Sequence, residues 1–193
     1  MINLILNFIK VLVLKIGAHV IDAKNTEIDS EQLFSIKVYK EYFNFAASHF
    51  MMFKDGSREP LHGHNYRVML KGNALNLNHD MVFDFLDIKP IVREVCNELD
   101  HKLLIPSLCP QLTFTDIENN IVIKTPRDYF SIPRTDVLML PILNSSAERL
   151  AIYLAHEINR RVDQKFQFKF SELEIEVEET RGQSALYILK NKL

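Results

Sequence analysis

The stretch Leu61-His62-Gly63-His64-Asn65-Tyr66 constrains this chain more than any other. Residues two apart on a β-strand point to one face, so a strand here turns the imidazoles of His62 and His64 the same way. His49 ends the apolar run Phe43-Asn44-Phe45-Ala46-Ala47-Ser48-His49 and suits a neighbouring antiparallel strand. Three imidazoles with no adjacent carboxylate or thiolate describe a zinc ion whose fourth position is open to water or substrate, the catalytic pattern. A solvated strand face or a satisfied polar pair has the same spacing, so spacing alone leaves these readings open.

The 193 residues are 47% hydrophobic and 25% charged, enough for one domain with a full core. A net charge of −2 without a Lys/Arg run argues against nucleic acid as a partner. Only Cys96 and Cys109 are present, too few for a disulfide framework, so a reducing, cytoplasmic setting is expected. Met1 to Ile16 is apolar but broken by Asn3, Asn7, Lys10 and Lys15, and is shorter than the roughly 20 residues of a membrane span. We expect an amphipathic helix and no membrane insertion, with an organellar targeting segment as the alternative.

Residues 33–47 are rich in aromatic and β-branched types, and Ile36, Val38 and Tyr42 alternate with Lys37, Tyr39 and Glu41, which predicts a long strand. The Asp-Gly turn within Met51 to Pro60 links it to a second strand at His64 to Gly72, giving a hairpin. Asp87 is the expected N-cap of a helix whose stripe is Ile88, Ile91, Val92, Val95, Cys96 and Leu99, with Pro90 in its first turn. An added hairpin is expected from Gln111 to Thr115 and Ile121 to Thr125, then a return strand at Asp136 to Pro141. Ser145 and Glu148 have capping-box spacing before a helix burying Ala147, Leu150, Ala151, Leu154, Ala155, Ile158 and Val162. Leu173, Ile175 and Val177 alternate with glutamates, and a final strand follows at Ala185 to Leu189. The expected class is α+β, an antiparallel four-stranded sheet with two helices on one face.

Phe45-Ala46-Ala47-Ser48-His49, Leu61 to Tyr66, Met81-Val82-Phe83-Asp84-Phe85, Leu99-Asp100-His101, Ser145-Ser146-Ala147-Glu148, and Glu178-Glu179-Thr180 followed by Ala185 and Tyr187 occur in one order. Together they resemble the 6-pyruvoyl-tetrahydropterin and 6-carboxy-tetrahydropterin synthase family. The resemblance covers a domain at 35–193, leaving 1–34 as an extension and the hairpin near 108–135 as an insertion. It implies the tunnelling fold, a homo-oligomeric barrel that is commonly a hexamer, and a pterin substrate bound between subunits.

The same resemblance implies that His49, His62 and His64 hold Zn²⁺, that Asp100 and His101 form a proton-transfer pair, and that Ser146, Glu148 and Glu179 contact the pterin. Helix capping for Ser146 and Glu148, a helix-end charge pair for Asp100 and His101, and a solvated strand glutamate for Glu179 are the structural alternatives. Family members that make 6-pyruvoyl- or 6-carboxy-tetrahydropterin carry a cysteine base in the loop before the histidines, and Met51 to Leu61 has none. Glu59 stands three residues before His62 and resembles the subgroup in which glutamate replaces that cysteine. A carboxylate, with a parent pKa near ~4.3 against ~8.5 for a thiol, is the weaker base. It suits removal of a proton from a metal-acidified hydroxyl, which starts retro-aldol cleavage of the side chain of 7,8-dihydroneopterin triphosphate to 6-hydroxymethyl-7,8-dihydropterin. Conventional pyruvoyl or carboxy synthase activity and a non-catalytic pterin- or zinc-binding oligomer are the competing expectations.

Overall fold

The computed structural model describes residues 33–192. The helix or targeting segment expected at Met1 to Ile16 lies outside them. Strand β1 (Phe34–His49) pairs antiparallel with β2 (His62–Ala74), and their last register pair is His49 with His62. The simple alternation expected along β1 does not hold: Tyr42 is exposed and Phe43 is fully buried. Between the pairs Tyr39/Met69 and Asn44/Arg67, four residues of β1 face one of β2, so a bulge changes the phase of the strand. Val38 points inward before it; Phe43, Phe45, Ala47 and His49 point inward after it.

Helix α1 (Phe85–Leu99) buries the predicted stripe, but its cap is Asp84, whose carboxylate accepts from the Leu86 amide at 2.7 Å. Capping from Asp84 places Pro90 beyond the first turn, where it removes one helical hydrogen bond on the exposed side of the helix. Helix α2 (Ala147–Phe166) is capped by Ser146, which accepts from the Arg149 amide, and not by Ser145. Ser145 is fully buried and its hydroxyl donates to the Phe50 carbonyl at 2.6 Å. Leu150, Ala151, Leu154, Ala155, Ile158 and Val162 are buried as the spacing predicts, while Ala147 stays partly exposed.

The sheet corrects the four-stranded antiparallel expectation. Strands β3 (Lys102–Pro106) and β7 (Val137–Leu140) add in parallel beside β1, and β8 (Glu172–Thr180) and β9 (Gln183–Lys190) add antiparallel beside β2. The order is β7-β3-β1-β2-β8-β9, with edges at β7 and β9. Both helices pack on one face over the main core. The segment expected as an added hairpin is larger: β4 (Thr113–Ile117), β5 (Asn120–Lys124) and β6 (Tyr129–Pro133) form a separate three-stranded sheet. It covers a second apolar cluster in which Phe50, Leu103, Ile105, Ile123 and Val137 meet. Among the described residues, no helix is long and apolar enough to cross a membrane.

Two features of this core give tests. A Cβ at Gly72 would lie 2.4 Å from Cε1 of Phe170, whose ring is fully buried. Gly72→Ala is therefore expected to cost about 1–3 kcal/mol by overpacking, lowering the unfolding midpoint in a thermal melt by several degrees. Arg161 joins the helices by pairing with Glu98 at 2.6 Å and Glu157 at 2.8 Å. Hydrogen bonds from Arg160 and Arg161, against some desolvation, hold the Glu157 carboxyl down at about 2. A depressed carboxylate stabilises the fold above its unfolded pKa and stops doing so as pH falls through the folded one. Urea unfolding of Glu157→Gln should show lower stability near neutral pH and a shallower loss between about pH 4.5 and 2 than wild type.

Candidate metal centre

The β1 and β2 register brings His49 beside His62, and the period of two puts His62, His64 and Tyr66 on the helix-facing side of β2. Strand β8 pairs Glu178 with Arg67, which carries the next residue, Glu179, alongside Tyr66 on that same side. The three imidazoles form a triangle with ring centroids 4.6, 4.8 and 5.3 Å apart. One ring nitrogen from each lies within 4.8 Å of the other two.

Their protons are placed by backbone carbonyls, which can only accept. His49 Nδ1 lies 2.8 Å from the Ser145 carbonyl and His62 Nδ1 lies 2.8 Å from the Pro60 carbonyl, so both donate from Nδ1 and keep a lone pair on Nε2. Burial lowers the His49 pKa, against the carbonyl of Ser145 and the charge of Glu179, which favours the neutral ring. His49 Nε2 is buried and has no hydrogen-bond partner among the described residues. An orphaned buried lone pair is costly unless a cation or donor meets it, and convergent neutral imidazoles fit a transition-metal ion. His49, His62 and His64 are the residues that would hold it.

Glu179 and Tyr66 stand beside the triangle. Tyr66 is fully buried, stacks on Phe45 with centroids 4.8 Å apart, and donates its hydroxyl to Glu179 Oε1 at 3.2 Å. Its pKa is raised, first by burial and then by the charges of Glu179 and Glu59, so it stays a donor. The Glu59 side chain is held within its own loop, where Oε2 accepts from the Met51 amide at 3.2 Å. Arg58 fixes that loop: its Nη1 donates to the Glu59 carbonyl at 2.8 Å, its Nη2 to Asp128 Oδ2 at 2.7 Å, and its guanidinium lies 4.5 Å over the Phe130 ring. The inserted sheet therefore grips the Glu59 loop through the β5–β6 turn.

Ser146, Glu148 and Glu179 line one cleft of about 230 Å³ with Met51, Gln183 and Ser184. Asp100 and His101 pair as expected, Oδ2 to Nδ1 at 2.9 Å, and the Ala46 amide donates to Asp100 Oδ1 at 2.7 Å. Partial burial opposes ionisation of Asp100, yet the Ala46 amide and His101 outweigh it and lower its pKa. The His101 side chain is 83% exposed and lines a second cleft of about 520 Å³ with Gly63, His64 and Asn65. Neither cysteine reaches the histidines' cluster: Cys96 lies inside the main core, its thiol pushed up to about 12 by burial, and Cys109 belongs to the second apolar cluster. Sequence reasoning missed Ser145, Tyr66 and Arg58 as site residues; of these, Tyr66 carries a signal, since it continues the His62, His64 alternation.

Removing the Arg58 grip is expected to loosen the loop locally. Arg58→Ala should cost about 1–2 kcal/mol, the range of a charge-assisted hydrogen bond reduced by partial exposure. Hydrogen exchange should rise at residues 51–60 and 125–129 while α1 and α2 keep their protection.

The chain and its fold are similar to known proteins. The family model described as 6-pyruvoyl tetrahydropterin synthase matches residues 37–189. A Methanocaldococcus jannaschii protein, provisionally named 6-carboxy-5,6,7,8-tetrahydropterin synthase, is 37% identical over 129 residues, 66% of this chain and 78% of that one. The solved 6-pyruvoyltetrahydropterin synthase of Plasmodium vivax is 30% identical and covers 83% of this chain and all of its own, with a TM-score of 0.77. One structure of that protein is described as a catalytic-residue mutant with a glutamate replaced by alanine. The Plasmodium falciparum 6-pyruvoyl tetrahydropterin synthase is 32% identical, covers 82% of this chain and 99% of its own, and has a TM-score of 0.73. With most of its described length matched by the family model, this chain belongs to the 6-pyruvoyl tetrahydropterin synthase family.

Proposed function

We propose that the chain is a zinc-dependent lyase that cleaves the side chain of 7,8-dihydroneopterin triphosphate to 6-hydroxymethyl-7,8-dihydropterin, a folate precursor. The observation that carries this reading is that the loop leading into His62 holds a carboxylate, Glu59, anchored on the Met51 amide, while both cysteines are buried in the apolar clusters. The described catalytic-residue mutant of the P. vivax relative, a glutamate replaced by alanine, supports the same assignment. A bound zinc ion would acidify the side-chain hydroxyls and stabilise the charge that develops on them.

The residues of the chain then divide the work. Glu59 takes the proton of the C2′ hydroxyl; the C1′–C2′ bond breaks, C2′ leaves as the aldehyde of a two-carbon triphosphate, and the electron pair passes into the dihydropterin ring. C1′ then takes a proton, which gives the hydroxymethyl product. Asp100 and His101 form the second proton-transfer pair, the carboxylate orienting the imidazole. Glu179 receives the pterin's amino and ring N–H groups as paired hydrogen bonds, with Ser146 and Glu148 lining the same cleft. A homo-oligomer, expected as a hexamer, is supported by two sheet edges unpaired among the described residues and by exposed Tyr39, Leu186 and Ile188 on the face away from the helices. A reducing, cytoplasmic setting agrees with two free cysteines.

The second reading is conventional 6-pyruvoyl- or 6-carboxy-tetrahydropterin synthesis, which the names of the relatives favour. Product identification separates the two. Zinc-loaded protein incubated with 7,8-dihydroneopterin triphosphate is expected to yield 6-hydroxymethyl-7,8-dihydropterin, and Glu59→Ala to lower the rate at least ~100-fold, the span of a general base. A pyruvoyl or carboxy product from wild type would overturn the cleavage reading, and no product would favour a binding protein.

A further inference from the structure

Glu179 stands where a pterin-anchoring residue alone has no reason to be. Its Oε1 lies 3.4 Å from His49 Nε2 and 3.7 Å from His64 Nε2. His49 keeps its proton on Nδ1, so the atom facing the carboxylate carries a lone pair. A lone pair and a carboxylate oxygen repel when nothing lies between them, and 3.4 Å exceeds the roughly 2.7–2.9 Å of a charge-assisted hydrogen bond. The 3.4 Å approach to His49 matches the ligand-to-ligand edge of a tetrahedral ion, roughly 3.3 Å for bonds of about 2.0–2.1 Å, and the 3.7 Å approach to His64 is near it. The mutually close group is His49, His62 and His64, so Glu179 must swing toward His62 to complete the tetrahedron. The oxygen's one donor within the site is Tyr66, which fixes it from the side at 3.2 Å.

We infer that Glu179 is the fourth ligand of the metal when substrate is absent, closing a site otherwise made by His49, His62 and His64. The backbone permits a second position. Strand β8 shifts register against β9 between Glu178 and Thr180, so Glu179 sits at a bulge without a partner of its own across the ladder. The same residue lines the cleft of Ser146 and Glu148 and another with Gly63, His64 and Asn65. Its carboxylate therefore moves from the ion to the pterin as substrate enters, vacating the position that the side-chain hydroxyls take. The closed form keeps the ion bound between turnovers, and only a ligand able to occupy Glu179 opens it.

This inference rests on the metal-dependent reading above and is tested without turnover. Metal-free wild type and Glu179→Gln are titrated with Co²⁺, and affinity and visible absorption are recorded before and after adding 7,8-dihydroneopterin. Wild type is expected to show the intense bands of a four-coordinate ion that change when the pterin binds. Glu179→Gln is expected to bind Co²⁺ at least ~10-fold more weakly, with a different spectrum, since even residues one step from a metal contribute that much. Circular dichroism of the metal-free variant checks its fold. Equal affinity and an unchanged spectrum in Glu179→Gln would overturn the inference alone; failure of wild type to bind Co²⁺ would overturn it together with the metal reading.

Discussion

His49 joins His62 and His64 in one cluster only because β1 changes phase between Tyr39 and Asn44. Had the alternation of Ile36 and Val38 continued, His49 would point to the face away from the helices, and no register of β2 could recover the triangle. The bulge also turns Phe43, Phe45 and Ala47 inward, so the end of the strand that carries the ligand packs on the same core as α1. The geometry of the histidine cluster and the packing of the core are set by one irregularity. The stacked Phe45 and Tyr66 rings show the connection directly: one face of the pair is core, and the Tyr66 hydroxyl reaches into the site.

How much of this the sequence discloses depends on whether a feature is local. The stripe from Ile88 to Leu99 and that from Leu150 to Val162 read cleanly, since helical periodicity needs no knowledge of what packs against it. Strand β3 gave no such signal: Leu103, Leu104 and Ile105 are all buried because sheet neighbours and both apolar clusters enclose them, and a continuous apolar run has no period. Strand β6 hides between Pro126 and Pro133, and its pairing with β5 is a tertiary fact. The phase change in β1 was equally invisible, because Tyr42 and Phe43 are interchangeable on hydrophobicity alone.

The site divides along the same line. His62 and His64 announce themselves by spacing, whereas Glu179 is singled out among the glutamates of β8 only by the family resemblance. What orders them does not: a carbonyl that fixes a tautomer has no residue signature, and Arg58 gains its role from Asp128 and Phe130, seventy or more positions away. The three-stranded sheet illustrates how a peripheral element reaches toward the cluster, by holding the short loop before His62 through one guanidinium.

The turn before α2 takes on a different meaning once the proton on His49 is considered. Ser145 is held by the Asn144 side chain at its amide and by the Phe50 carbonyl at its hydroxyl, so its own carbonyl is fixed in place against an imidazole 96 positions distant in sequence. That carbonyl sets how electron-rich Nε2 of His49 is, in the manner of the outer partners of metal-bound histidines. Residues 144–146 are thus an electronic part of the centre as well as a connection between β7 and α2. Evolutionary drift in this turn would be felt as a change in the basicity of His49 Nε2 before it was felt as a loss of fold.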